Sequence, residues 1–158
     1  MGVDENMNAE LEDKTRAQTE QCKYPRHVLV VDDSSVARNQ VKRVLEKVGF
    51  EVTTANDGQY GLEQLQAWAE EGPIHEKLAL VISDVEMPRM DGYTLTTSLR
   101  QMPELADLYV ILHTSLSGVF NNSMVEKVGA DKFVAKFKPN ELASAVLEFV
   151  EGFSVDDQ

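Results

Sequence analysis

The side chains in this sequence that could do chemistry stand directly after apolar runs. Asp32 and Asp33 follow the run 27–31, Asp84 follows 78–82 by way of Ser83, Thr114 follows 109–113, and Lys136 closes 132–136. Taken singly, each has an ordinary explanation. Asp33 or Ser34 suits the cap of a following helix, and Asp84 suits an Asx turn. Thr114 is a common strand residue, and lysines such as Lys136 and Lys138 are usually solvated. Taken together they supply the groups that one reaction needs. Three carboxylates held close repel one another unless a cation enters. An all-oxygen donor set with room for phosphate and water suits Mg²⁺. One carboxylate can then act as nucleophile and form an aspartyl phosphate, while the cation neutralises charge on the transferring group. Lys136 can pair with that phosphate and Thr114 can donate a hydroxyl hydrogen bond to it. No His or Cys nucleophile is needed. His113, next to Thr114 in an extended run, is expected to face away from the site, and His27, His75 and His113 are expected to be structural or at the surface.

Such a site exists only if the chain brings those run ends together. Beyond Pro25 the pattern alternates strand and helix five times. The β-branched run 27–31 and the run 78–82 are expected as strands buried on both faces. Runs 51–55, 109–113 and 132–136 supply three more. Helices are expected over 35–48, 59–71, 92–102 and 121–128 and from Pro139 onward, with apolar residues at helical spacing such as Ala37, Val41, Val44, Leu45 and Val48. Gly49, Gly72 and Gly129 stand where helix-terminating glycines belong, and Asn56-Asp57-Gly58 reads as a turn. Five βα units imply an α/β fold with a parallel sheet and helices on both faces. In such sheets ligands bind outside the carboxyl ends of the strands, which is where the acids, the threonine and the lysine fall.

Composition narrows the classes. The chain has 158 residues, 15 Lys+Arg against 27 Asp+Glu, a net charge of −12 and 42% apolar residues, enough for a core. The acidity disfavours grip on a nucleic-acid backbone. No run is long enough for a membrane span, and the polar start is not a secretory signal. Cys22 is the single cysteine, so neither a disulfide nor a Cys-based zinc site is expected, and a reducing cytoplasm is the natural setting. Residues 1–25 hold six acids and three bases with few apolar residues. They are expected to be a flexible acidic tail or linker, with the globular domain over 26–151 and a C-terminal tail over 152–158.

The ordered set Val30-Val31-Asp32-Asp33-Ser34, Asp84-Val85-Glu86-Met87-Pro88-Arg89-Met90-Asp91-Gly92, Thr114, and Gly129-Ala130 followed by Lys136 resembles the response-regulator receiver domain, over about residues 26 to 151. The resemblance implies a flavodoxin-like five-stranded parallel sheet of order 2-1-3-4-5 with five helices. It implies Asp84 as phosphoacceptor, and Mg²⁺ held by Asp33 and Asp84, by Asp32 largely through water, and by the backbone carbonyl of Glu86. It also implies a phosphate-binding and switch set of Thr114, Ser115, Lys136 and Phe133, in which Thr114 moves toward the phosphate and the aromatic ring turns inward. The implied protein is a regulator rather than an enzyme in the usual sense: a sensor histidine kinase, CheA-like, supplies the phosphoryl group, which is then hydrolysed slowly.

One departure stands out. The family's lysine is followed by proline, whereas this chain reads Lys136-Phe137-Lys138-Pro139. Spacing from Gly129-Ala130 selects Lys136 rather than Lys138. A cis bond before a non-proline residue costs ~2.5–4 kcal/mol, so Phe137 opens the trans form to this peptide. The runs Ala135-Lys136-Phe137 and His113-Thr114-Ser115-Leu116-Ser117-Gly118, with Glu86, resemble the receiver of CheV-type chemotaxis coupling proteins, in which a CheW-like domain precedes the receiver. On that likeness residues 1–25 would be the joining linker, the chain a piece of a longer protein, and its partner a receptor–kinase array. The alternatives are a stand-alone CheY-like regulator that contacts the flagellar motor, and a phosphatase of the haloacid-dehalogenase type. The latter places its nucleophile after the first strand in a D-x-D arrangement, where this chain has Asp32-Asp33-Ser34.

Overall fold

The computed structural model describes residues 26–114, 127–135 and 139–156, without the side chains of Thr114, Pro139 and 150–156. Five strands form one sheet: β1 (His27–Val31), β2 (Glu51–Ala55), β3 (Leu80–Asp84), β4 (Tyr109–Thr114) and β5 (Lys132–Ala135). Four α-helices are described: α1 (Ser35–Lys47), α2 (Gly58–Glu71), α3 (Gly92–Arg100) and α4 (Pro139–Asp156). The helix expected over 121–128 lies outside the described residues except for Lys127 and Val128, which are helical. The strand order is β2-β1-β3-β4-β5 and every pairing is parallel. This is the flavodoxin-like arrangement expected from the resemblance, with connections that cross over through helices.

Period-two alternation explains the two cores. Val28, Val30, Leu80, Ile82, Ile111 and Val134 face α1 and α4, where Val41, Leu45, Leu142 and Val146 meet them. Leu29, Val31, Val81, Val110 and Leu112 face α2 and α3, against Leu62, Leu65, Leu95 and Leu99. Both faces of β1 and β3 are thus apolar, as a central parallel strand requires. Glu51 is exposed and Val52–Thr54 only half-buried, consistent with β2 at the sheet edge.

Boundaries moved where local turns competed with the sheet. The third strand was expected over 78–82 but spans Leu80–Asp84, because a 3₁₀ turn at Ile74–Glu76 takes up the preceding chain and Leu78 N–H donates to Ile74 O at 2.9 Å. Asp84 therefore ends the strand rather than following it. α2 begins at Gly58, capped by Asp57, so the expected turn is a helix start. α3 ends at Arg100 rather than 102, with Gln101 and Met102 N–H groups bonded to Ser98 and Leu99 carbonyls in a final tight turn. Gly49, at φ 97°, takes the left-handed conformation that ends α1, as expected of a glycine there. α4 is helical to Asp156, into the residues expected as a C-terminal tail.

Candidate functional site

The carboxyl ends of β1, β3 and β4 form one row. Val31 pairs with Ser83, and Asp84 with His113, so Asp32, Asp84 and His113 continue the line of Val30, Ile82 and Ile111 on the α1/α4 face. Carboxylate oxygens of Asp32, Asp33 and Asp84 lie within 4.8 Å of one another. Asp32 and Asp84 are buried, at 0% and 2% exposure, while Asp33 is open to solvent. The site is therefore a buried acidic floor with one carboxylate at its rim.

Local sequence fixes each acid. The cap of α1 is Ser34, whose Oγ accepts from Ala37 N–H at 3.3 Å, so Asp33 is not needed as a cap. Asp32 is held firmly. Its N–H donates to Ala55 O at 3.0 Å, its backbone carbonyl accepts from Arg38 Nη1 at 2.7 Å, and its Oδ1 accepts from Ser34 N–H at 2.9 Å. Asp84 Oδ1 accepts from Val85 N–H at 2.8 Å. A Cβ on Gly92 would overlap the Asp84 carbonyl oxygen, so only glycine lets α3 start this close to the site.

The loop 85–91 after Asp84 is fastened to α2 by a contact that the sequence did not announce. Arg89, at φ 67°, donates from Nε and Nη2 to Asp57 Oδ2 at 2.9 and 2.6 Å. Asp57 Oδ1 accepts from Tyr60 N–H at 2.8 Å and so caps α2. Burial alone would raise the Asp57 carboxyl, but the Tyr60 amide, the Arg89 guanidinium and the Gln59 amide hold it below its ordinary value. Gly58 completes the seam, since a Cβ there would overlap the Met90 carbonyl oxygen.

The expectation for His113 needs correction. It was placed away from the site, whereas it is 4% exposed with Nε2 3.4 Å from Asp32 Oδ2. The reason is register, for β4 pairs with β3 so that His113 sits beside Asp84. His27 is structural as expected, its Nε2 2.7 Å from Thr53 Oγ1, and His75 is exposed. Phe133 is half-buried in β5, paired with Leu112 and packed on the α2/α3 core. Glu86 is exposed in the loop. Thr114 ends β4. Ser115, Lys136 and the Lys136–Phe137 peptide lie outside the described residues.

An oxygen-only set of three carboxylates, two of them buried, fits a hard divalent cation such as Mg²⁺, which would offset their mutual repulsion. Similarity to known proteins agrees with the fold. The response regulator receiver domain matches residues 28–147. The chain belongs to that family. It is 31% identical over 140 residues to the chemotaxis protein CheV3 of Helicobacter pylori, covering 87% of this chain and 45% of that protein. It is 32% identical over 131 residues to protein PilG of Pseudomonas aeruginosa, covering 82% and 91%. The solved structure of the chemotaxis response regulator CheY4 of Vibrio cholerae superposes with a TM-score of 0.66 at 28% identity, covering 78% of this chain and 97% of that one. The chain spans about half the length of most of the curated relatives it matches, CheV3 included. Among the described residues no helix is long and apolar enough to cross a membrane.

Proposed function

We propose that this receiver is a phosphorylation-dependent switch of a chemotaxis-type two-component pathway, with Asp84 as phosphoacceptor. The observation that carries the reading is the gathering of Asp32, Asp33 and Asp84 oxygens within 4.8 Å, with Asp84 at the end of the central strand β3. An Asp84 carboxylate oxygen attacks the phosphorus of a kinase phosphohistidine. The new P–O bond forms as the P–N bond breaks, and the histidine nitrogen leaves with the bonding pair and takes up a proton. Attack of water on the acyl phosphate later returns the carboxylate and inorganic phosphate. Mg²⁺, when bound by Asp33, Asp84, the Glu86 carbonyl and, through water, Asp32, supplies charge neutralisation to both transfers. Thr114, with Ser115, and Lys136 serve the phosphate, and Phe133 reports it to the protein-binding surface.

The kinase is of the CheA type. Likeness to CheV3 supports a receiver joined to a CheW-like domain in a receptor–kinase array, with residues 1–25 as linker, 26–151 as the domain and 152–158 as its tail, in the cytoplasm. The phosphatase alternative has no support in the strand order or the family match. The test is transfer of label from a phosphorylated CheA-type kinase, with and without Mg²⁺. Wild type takes label in Mg²⁺ and Asp84→Asn does not, and beryllofluoride shifts NMR signals near Thr114 and Phe133. Labelling of Asp84→Asn equal to wild type would sink the assignment.

A further inference from the structure

His113 has no part in the function just proposed, yet its buried ring lies against the acidic floor. A buried imidazole is costly among aliphatic neighbours unless a polar group meets it, and its place in line with Ile111 would suit an aliphatic residue equally well for packing. One polar group beside it is Asp32 Oδ2, 3.4 Å from Nε2, within ion-pair range but without hydrogen-bond geometry. Asp32 is held at its backbone by Ala55 and Arg38 and at Oδ1 by Ser34. The carboxylate plane still has a broad torsional well about Cβ–Cγ, and the ring at 3.4 Å from Oδ2, a close contact without hydrogen-bond geometry, limits that rotation. His113 is not one of the three groups whose ligand atoms gather within 4.8 Å, so it acts behind Asp32, which meets the ion through water, rather than as a ligand.

We propose that His113 is a positioning residue for the cation site, setting through Nε2 the orientation in which Asp32 meets the ion's hydration shell. The inference rests on the cation-binding reading of Asp32, Asp33 and Asp84. Partners behind metal ligands change affinity by about 10- to 100-fold when removed.

The experiment measures Mg²⁺ affinity of the full chain by calorimetry at one pH, with thermal melts in the absence of Mg²⁺. The variants are His113→Leu, His113→Gln, Asp32→Asn and the double variant Asp32→Asn/His113→Leu. Gln keeps an N–H close to the position of Nε2. The expected result is about a 10-fold or greater loss in His113→Leu, recovery to within about 3-fold of wild type in His113→Gln, and little further loss from His113→Leu once Asp32 is Asn. If His113→Leu does not fold, His113→Phe, which keeps a ring and loses both nitrogens, takes its place. Folded variants that bind Mg²⁺ like wild type overturn the inference. So does equal weakening in Leu and Gln, or an undiminished effect in the Asp32→Asn background. Wild type that takes up no Mg²⁺ overturns the cation reading and this inference with it.

Discussion

Asp32 and Asp57 are both buried aspartates at the start of a helix connection on the same edge of the sheet, and they are built to opposite ends. Asp57 is answered in full: Tyr60 N–H at one oxygen, two guanidinium nitrogens of Arg89 at the other, and a carboxyl held below its ordinary value. Asp32 shares its space with two more carboxylates, Asp33 and Asp84. The first arrangement stores stability, since a helix gains a cap and a loop gains an anchor. The second concentrates like charge where an entering cation would be favoured. Neutralising an acid should therefore have opposite consequences in the two places.

The largest effect is expected at Asp84. Asp84→Asn should abolish phosphoryl labelling while the chain stays folded, checked by phosphotransfer and circular dichroism. Next comes Asp57→Ala, which removes the cap and the Arg89 anchor together. A cap is worth about 1 kcal/mol, and the loss of the buried charged contact adds a similar amount, discounted because the Arg89 side chain is 63% exposed. Urea unfolding should show a loss of about 2 kcal/mol, with Mg²⁺ affinity changed little. Asp33→Asn should do the reverse. Relief of repulsion leaves the Mg²⁺-free protein as stable as wild type or up to about 1 kcal/mol more so, and the increase in Tm on adding Mg²⁺ shrinks. A large loss of Mg²⁺-free stability in Asp33→Asn would erase the distinction between the two regions.

How much of this was legible follows from what each contact depends on. The strands, the strand-end acids and the parallel sheet could be read because they rest on local runs: Val28–Val31 is apolar on both faces, and Asp32-Asp33 comes directly after it. The Asp57–Arg89 anchor could not, because the two residues are 32 positions apart and meet only once α2 and the 85–91 loop are packed. The one signal was Asp57 ahead of a helical pattern, which was taken for a turn and is a cap. His113 failed for a related reason. Alternation along β4 was right, but which face carries the site is decided by the β3–β4 register that sets His113 beside Asp84. The two-residue shift of β3 came from the turn at Ile74–Glu76, where Pro73 leads into a 3₁₀ turn and apolar Leu78 and Ala79 are buried without being strand.

Acid should weaken the Asp57 region selectively. Its carboxyl is held below the ordinary value in the folded chain, so its contribution is present above the unfolded carboxylate value of about 3.9 and is lost as pH falls through the lower folded value. The stability difference between wild type and Asp57→Asn should be constant near neutrality and shrink below about pH 4. Unfolding curves across that range check it, and a difference that grows on acidification would reverse the sign argued here.

The smallest effect is the most informative about the anchor. Arg89 holds a left-handed backbone, φ 67°, that costs an L-residue roughly 1 kcal/mol and costs glycine little. Arg89→Gly therefore loses an exposed-side ion pair worth at most about 1 kcal/mol and regains a similar amount in relieved strain. Arg89→Ala loses the pair and keeps the strain. The expected order of stability is wild type about equal to Arg89→Gly, with Arg89→Ala lower by about 1 kcal/mol, read from urea midpoints at matched slopes. If Gly and Ala are equally destabilising, the ion pair alone accounts for the anchor and the backbone at position 89 is relaxed. If Gly falls well below Ala, the loop depends on stiffness at that position, and the Asp57 region stabilises the chain through the backbone of 85–91 rather than through the charge on Arg89.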